Sequence, residues 1–301
     1  MTDTVAVTGA TGFIGRALAP RLAGALEDSA SLRRLVAGAR AVIHCAGTVR
    51  GISPVDFDGA NVQGVARLAR AATAQQPTPH IIVVSSLAAR HPELSSYAAS
   101  KRRGEQALGA AATDWTILRP PAVYGPGDRE LRPLLRWMTR GIAPIARRDG
   151  RFSVLYVDDL ADAAVRLVET GPGRGRVFEL HDGHPAGYTW DDVIDVVARC
   201  QGRPVVRIPI PAPLLRALAR VNVLGARARR RAPMLTPGKV RELLHPDWVC
   251  DNTALTEATG WRPRVGLEEG IRRTLGAAGP MEPEKRLLVH ADLSRYPDAD
   301  L

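Results

Sequence analysis

Lysine is almost missing from this 301-residue chain: Lys101, Lys239 and Lys285 are the only three, although Lys and Arg together number 41. Arginine therefore carries nearly all of the formal net charge of +10. That balance favours anionic partners. The arginines are scattered, however, apart from "RARRR" at 227–231, and codon bias toward Arg and Ala accounts for scatter equally well. No zinc-finger spacing or aromatic RNA-binding signature accompanies them, so no nucleic-acid partner is expected. Cysteine is as scarce. Cys45, Cys200 and Cys250 lie far apart, make neither a metal spacing nor a disulfide framework, and read as reduced core residues. His181 and His184 lack a third ligand nearby in sequence, so no metal is expected. There is no apolar run of membrane-spanning length and no fixed-period repeat. The opening "MTDTVAVTGATGF" has no basic start of the signal-peptide kind, and a cytoplasmic protein is the expectation.

Hydrophobic residues make up 45% of the chain, enough for one large domain, with or without a smaller lobe. Its first segment, "TVAVTGATGFIGRALAPRLAGAL", opens with a buried-strand run, Val5 to Val7. Gly9, Gly12 and Gly15 follow, and then Ile14, Leu18 and Leu22 at helical spacing. Strand, glycine turn and helix together form a phosphate-binding element. Glycine lets the backbone turn tightly and approach a pyrophosphate, and the free N–H groups of the helix start face the anion. A second unit reads "HIIVVSSLAARHPELSSYAASKRRGEQALGAA". Ile81 to Val84 is a buried strand that ends at Ser85 and Ser86, and a helix capped by Ser95 or Ser96 follows. Tyr97 and Lys101 are four residues apart on one face of that helix. An ammonium near a phenol lowers the tyrosine pKa, and a serine at the strand end can hold a substrate oxygen within the tyrosine's reach. This is acid–base equipment for a hydroxyl or carbonyl.

In this order the motifs resemble the short-chain dehydrogenase/reductase superfamily, in its extended branch of NAD(P)-dependent epimerases, dehydratases and 3β-hydroxysteroid-type dehydrogenases. The resemblance runs from Val5 to about Leu275 and includes "TGATGFIG", "AVIHCAG", "NVQGVARLARAA", "VVSSLAA", "YAASK", "WTILRPPAVYGPGD" and "VLYVDDLADAAVRLVE". It implies an α/β fold: a doubly wound parallel Rossmann sheet with a small C-terminal lobe over the substrate. It implies Ser86, Tyr97 and Lys101 as catalytic residues. For the cofactor, NAD or NADP, it implies Gly9, Thr11, Gly12, Phe13, Ile14 and Gly15 in the turn and Ala46 and Gly47 after the next strand. Asn61 at the head of the following helix, Ser85, Tyr97, Lys101, Pro120 and Val123 complete that set.

One part of the pattern is missing. After the first helix the family has a second strand, a short helix and a third strand; here "RLAGALEDSASLRRLVAGARAVIH" intervenes. About 25 to 30 residues, near the size of one βαβ repeat, have no counterpart. "ALED" resembles the end of the third strand, and Asp28 or Ser29 reads as the cap of a helix through Leu32, Leu35 and Val36. The sheet is therefore expected to be truncated on that side, with Val5–Val7 an edge strand that needs cover. The acidic residue that would grip the adenosine ribose cannot be named, and Arg16 reads either as a partner for a 2′-phosphate or as an exposed helix arginine.

Domain boundaries are expected at 1–170 for the shortened dinucleotide-binding domain and 171–280 for the substrate lobe, whose late strand returns to the main sheet; 281–301 reads as a tail. Substrate contacts are expected from the lobe and from Tyr124 to Gly127. Arg136, Arg140, Arg147 and Arg148 could hold a diphosphate or lie on the surface. The basic segment 213–232 is a candidate for peripheral contact with an anionic membrane or a lipid-like substrate, or else a lobe helix with a solvated face. A neighbouring subunit covering the edge strand would make a homo-oligomer. Two functions fit. One is an NAD(P)-dependent oxidoreductase or epimerase/dehydratase acting on a hydroxyl or carbonyl of a small molecule, a sugar-nucleotide or sterol-like substrate, through Ser86, Tyr97 and Lys101. The other is a catalytically impaired relative serving as a structural or cofactor-sensing subunit.

Overall fold

Alternate residues of the central strands divide between two cores, because side chains along a strand point to opposite faces. Val5, Val7, Ile43, Ile82, Val84 and Leu118 belong to one core; Ala6, Val42, Ile81, Val83 and Ile117 belong to the other. This computed structural model describes residues 4–19, 35–111, 114–171, 174–229, 232–233 and 235–276. The strands are β1 (Val5–Thr8), β2 (Ala41–His44), β3 (His80–Val84), β4 (Trp115–Arg119) and, later in the chain, β9 (Arg176–Glu179). They form one parallel sheet in the order β1-β2-β3-β4-β9. Such strands are buried on both faces and read as near-continuous apolar runs, as "VAVT" and "AVIH" do. Among the described residues the sheet ends at β1, the edge expected from the shortened sequence. The "ALED" strand end, the Asp28 or Ser29 cap and the tail 281–301 lie outside the described residues.

Helices cover both faces. On one lie α1 (Phe13–Leu18) and α6 (Val157–Thr170), which bring Leu18, Leu160, Ala164 and Leu167 to the first core. On the other lie α2 (Pro54–Asp58), a π-helical turn (Gly59–Gly64), α3 (Val65–Thr73) and α4 (Ser96–Gly109). Leu68, Ala69, Ala72 and Leu108 fill that side. The result is a doubly wound Rossmann sheet of α/β class.

Three small parallel pairs build the rest: β5 (Ala122–Tyr124) with β8 (Val154–Tyr156), β6 (Ile142–Ile145) with β10 (Val206–Pro209), and β7 (Arg151–Phe152) with β11 (Asp247–Trp248). Around them stand α5 (Arg132–Met138), α7 (Trp190–Gln201), α8 (Ala212–Arg229), α9 (Pro237–Leu244), α10 (Thr253–Thr259) and α11 (Leu267–Gly276). Thr189 caps α7 in a full capping box with Asp192. Asp159, buried at the start of α6, accepts from the backbone N–H groups of Arg264 and Val265 at 3.1 and 2.9 Å, fixing the approach to α11.

The structure corrects one expectation and selects between two alternatives. Tyr124 is not a substrate-facing residue. It is 2% exposed in the second hydrophobic cluster, and Gly270 of α11 lies so close that a Cβ there would stand 2.2 Å from the Tyr124 hydroxyl. Of the two readings of the four arginines, the surface one holds, and they do not converge on one site. Arg147 pairs with Asp149 and bonds the Leu244 carbonyl, Arg148 pairs with Asp191, and Arg136 and Arg140 are exposed on or just after α5.

Beneath the C-terminal edge of the sheet, Glu105 of α4 takes both forks of Arg119, at 2.9 and 2.5 Å, and the Ser85 hydroxyl at 2.6 Å. Removing one partner leaves the other charge buried and uncompensated, which costs about 3–5 kcal/mol. Glu105→Ala is therefore expected to lower unfolding stability by about 3 kcal/mol in a denaturant titration, and a loss below about 1 kcal/mol would show that Arg119 finds water instead.

Candidate active site

Gly9 ends β1 with φ +73°, a left-handed conformation that suits glycine. A Cβ on it would sit 2.6 Å from the Ala46 nitrogen beyond β2, and one on Gly15 would sit 2.2 Å from the Gly9 carbonyl oxygen. The turn is thus folded onto itself and against Ala46. The Gly12 N–H donates to the Gly9 carbonyl at 2.9 Å. Thr11 and Gly12 are exposed, Gly12 is the N-cap and Phe13 the first residue of α1, and Ile14 anchors the helix in the core. The first amides of a helix have no partner within it, so the turn presents N–H groups to an anion. Arg16 gives its Nε–H to the Thr11 carbonyl at 2.7 Å and stays beside this turn.

The second half of the site is built around Asn61. Its Nδ2 donates to the Thr48 carbonyl and to the Ser100 hydroxyl, and its Oδ1 accepts from the Thr48 N–H, each at 2.9 Å. One buried side chain thereby joins the loop after β2 to α4. The sequence reading set Asn61 at the head of a helix. The structure puts it inside a continuous helical run that starts at Pro54, where Ser53 supplies a capping box, and widens into a π turn over 59–64. Such a turn re-aims its side chains and is frequent at functional sites. Gly47 lies against the same group: a Cβ there would meet Asn61 Oδ1 at 2.9 Å and Lys101 Nζ at 3.3 Å.

Ser86 and the Lys101 ammonium both lie at the end of β3, and Tyr97 stands one turn before Lys101 on α4. Ser86 ends β3 and caps a short 3₁₀ turn, accepting from the Ala88 N–H at 3.2 Å, while Leu87 N–H donates to the Pro120 carbonyl at 2.8 Å. Ser95 caps α4 and places Tyr97 in its first turn, with the Ser86 hydroxyl near enough to favour the phenolate. Phe57 meets the Tyr97 ring edge-on at 6.1 Å between centroids. Lys101 Nζ donates to the Val84 carbonyl at 3.2 Å. Val123, in β5, packs against the first core. Ser85 is the outlier of the expected set: its side chain serves Glu105.

Burial governs the protonation of this cluster. It pushes the Tyr97 phenol up to about 12, against the Ser86 hydrogen bond, and it lowers Lys101 to about 8, against the pull of Cys45 and Glu105. The sequence reading gave Tyr97 a lowered pKa through Lys101. The reverse holds because burial disfavours the phenolate, the carboxylates of Glu242 and Glu130 add to the rise, and the Lys101 ammonium is directed at the Val84 carbonyl. Three contributors were not legible in the sequence. His44 accepts or donates at Nδ1 to the Thr8 hydroxyl at 2.6 Å, keeps Nε2 buried without a protein partner, and stays neutral, with burial and then Lys101 lowering it to about 3. Glu105 and Ser100 are the others. Their signal was only a polar residue on a helix face that the strand pattern turns inward.

A model of the NAD dependent epimerase/dehydratase family matches residues 22–180, more than half of the chain and beginning after the glycine turn. The chain belongs to that family. Over 307 aligned residues it is 37% identical to the ceramide reductase of Caulobacter vibrioides, with 90% of this chain and 93% of that protein covered. It is 30% identical over 199 residues to a 3beta-hydroxysteroid-dehydrogenase/decarboxylase (isoform 2) of Arabidopsis thaliana, covering 60% of this chain and 35% of the plant protein. In fold it is similar to RMD from Pseudomonas aeruginosa complexed with NADPH, at TM-score 0.69 and 20% identity over 92% of this chain and 98% of that one. It is similar also to UDP-glucuronic acid 4-epimerase from Bacillus cereus in complex with NAD, at TM-score 0.67 and 17% identity, covering 91% and 96%. The protein is thus an NAD(P)-dependent enzyme of the oxidoreductase and epimerase kind, and its cofactor is NAD or NADP. The site fits such a dinucleotide: Gly9 and Gly15 let the turn fold onto itself and against Ala46, while Thr11, Gly12 and Gly47 stay exposed to a ligand.

Gly104 faces Asn61 so closely that a Cβ would stand 2.1 Å from the Asn61 carbonyl oxygen. Gly104→Ala must displace α4 or the π turn, an overpacking cost of about 1–3 kcal/mol. It is expected to lower the melting temperature and, through misplacement of Tyr97 and Lys101, to weaken turnover more than dinucleotide binding. Unchanged turnover with an unchanged melt would mean that the two helices are free to slide apart.

Proposed function

We propose that the protein reduces a ketone on a lipid of the ceramide class, using NADH or NADPH, through Ser86, Tyr97 and Lys101. The placement of Ser86 at the end of β3 beside Tyr97, with Lys101 one turn further along α4 and bonded to the Val84 carbonyl, carries this reading. The reduced nicotinamide, when bound, supplies the hydride. The Ser86 hydroxyl holds the carbonyl oxygen. Tyr97, which keeps its proton up to about pH 12, donates it to the oxygen as the carbon is reduced. Lys101, charged below about pH 8, stabilises the phenolate left behind. Gly9, Thr11, Gly12, Phe13, Ile14 and Gly15 would hold the pyrophosphate; Ala46, Gly47, Asn61, Lys101, Pro120 and Val123 would border the nicotinamide half.

The lipid class is supported by likeness over almost the whole chain to a ceramide reductase and by the scattered arginines, which offer no diphosphate cradle. A sugar-nucleotide substrate loses its main support on the second count. The reading of an impaired structural subunit is not favoured, since all three chemical groups are present and adjacent. Peripheral contact of 213–232 with a membrane belongs with a lipid substrate. The lobe over residues 171–280 supplies the substrate side through α9, which reaches the start of α4: Ser95 bonds Glu242, and Arg241 Nε–H donates to the Leu94 carbonyl at 2.7 Å.

Tyr97→Phe is expected to abolish reduction of a ketone-bearing long-chain amide while leaving fluorescence-detected NAD(P)H binding within about twofold. Turnover that survives this change, or that appears only with UDP-sugars, would sink the proposal. A second expectation concerns pH. Loss of the Lys101 proton above about 8 should make reductive kcat/KM fall by about one decade per pH unit, and Lys101→Arg, which stays charged, should remove the break. A flat wild-type profile through pH 9 to 10 would exclude Lys101 from that role.

A further inference from the structure

Large apolar side chains left exposed among the described residues are unevenly spread. Eight lie on α5, β6, β10 and α8, against three elsewhere. On α8, Leu214, Leu218, Val221 and Leu224 are 51%, 46%, 66% and 64% exposed. Their spacing of four, three and three residues makes one stripe along the helix. The opposite face is occupied: Leu215 and Ala219 pack on Val240 of α9. β10 runs directly into α8, and its Val206 and Ile208 stand in register with Ile142 and Pro144 of β6. Val206, Ile208 and Ile142 are all exposed on that small sheet. Trp137 of α5, next to β6, is 51% exposed.

The charge on these four elements is of one sign. "RPLLRWM", "IAPI", "VRIP" and "APLLRALARVNVLGARAR" contain no acidic residue. Arg132 and Arg136 on α5, and Arg216 and Arg220 on α8, are exposed, and none forms an ion pair with a described residue. An apolar stripe flanked by arginines, with an exposed tryptophan at its border, is the composition of a helix that lies in a lipid headgroup layer. We propose that the face made by α8 and the β6–β10 pair docks on an anionic lipid bilayer, with the α8 stripe at the acyl boundary and the arginines on lipid phosphates.

The proposal gives a route to the active site and, in that respect, rests on the lipid-substrate reading. From the docked helix, α9 leads to the first turn of α4: Gly238 lies so close to Ser95 that a Cβ there would stand 2.8 Å from the Ser95 Cβ. Docking would hold the start of the helix that carries Tyr97 near the surface where a membrane lipid resides.

The test is co-sedimentation of the full chain with phosphatidylglycerol–phosphatidylcholine vesicles and with pure phosphatidylcholine vesicles, alongside NAD(P)H turnover of a short-chain, water-soluble ketone. Wild type is expected to pellet with the anionic vesicles and much less with the neutral ones. Leu218→Glu with Val221→Glu should weaken partitioning about tenfold or more. Arg216→Gln with Arg220→Gln, which leaves the stripe intact, should weaken it by about 30-fold. Both double variants should keep wild-type circular dichroism and wild-type turnover of the soluble ketone. Failure of wild type to bind anionic vesicles overturns the proposal, as does binding that neither pair of changes weakens. A dimer in light scattering that Leu218→Glu with Val221→Glu splits would also overturn it, giving the face to a second copy. Vesicle binding without reduction of any lipid ketone would leave the docking surface standing and remove the substrate reading.

Discussion

The closest approach in the site is between the backbone of Asn61 and Gly104 of α4, and the arrangement of the chemical groups depends on it. A side chain at 104 would collide with the Asn61 carbonyl, so α4 can press onto the π turn only because no Cβ intervenes. With that contact made, Asn61 reaches Thr48 on one side and Ser100 on the other. Lys101 is then held between Gly47 and the end of β3, and Tyr97, one turn earlier, meets Ser86. The positions of three separate segments are set by a single glycine and a single amide.

Much of this was legible in the residues. Val5–Val7, Ile81–Val84 and the helix opening at Ser95 appear where apolar runs and a capping serine put them, because parallel strands buried on both faces leave a strong compositional trace. The edge position of β1 was legible from what the chain omits. The local roles were less so. Tyr124 reads as a loop residue near a substrate, but its environment is decided by α11, which arrives almost 150 residues later and lies against its hydroxyl. The pKa of Tyr97 could not be read from its spacing to Lys101, since burial and the direction of the lysine's hydrogen bond are tertiary properties. Glu105 looks like one more charged helix residue until the sheet brings Arg119 and Ser85 against it.

The lobe and the dinucleotide-binding sheet meet at a helix terminus. Ser95 caps α4 through Ala98 and also bonds Glu242 of α9, which in turn holds Lys239 at 2.9 Å. The group that starts the helix carrying Tyr97 is therefore shared with α9. The later segment is thereby tied to the same turn of backbone that carries Tyr97.

The scarcity of lysine has a consequence for how the molecule responds to its surroundings. Guanidinium groups do not lose their proton in any aqueous range a cell meets, so the positive face on α5 and α8 carries a constant charge. The amine at position 101 does titrate, near 8. On the readings proposed above, attachment and chemistry would have different sensitivities: alkalinity would silence the reaction centre while the hold on an anionic surface persisted.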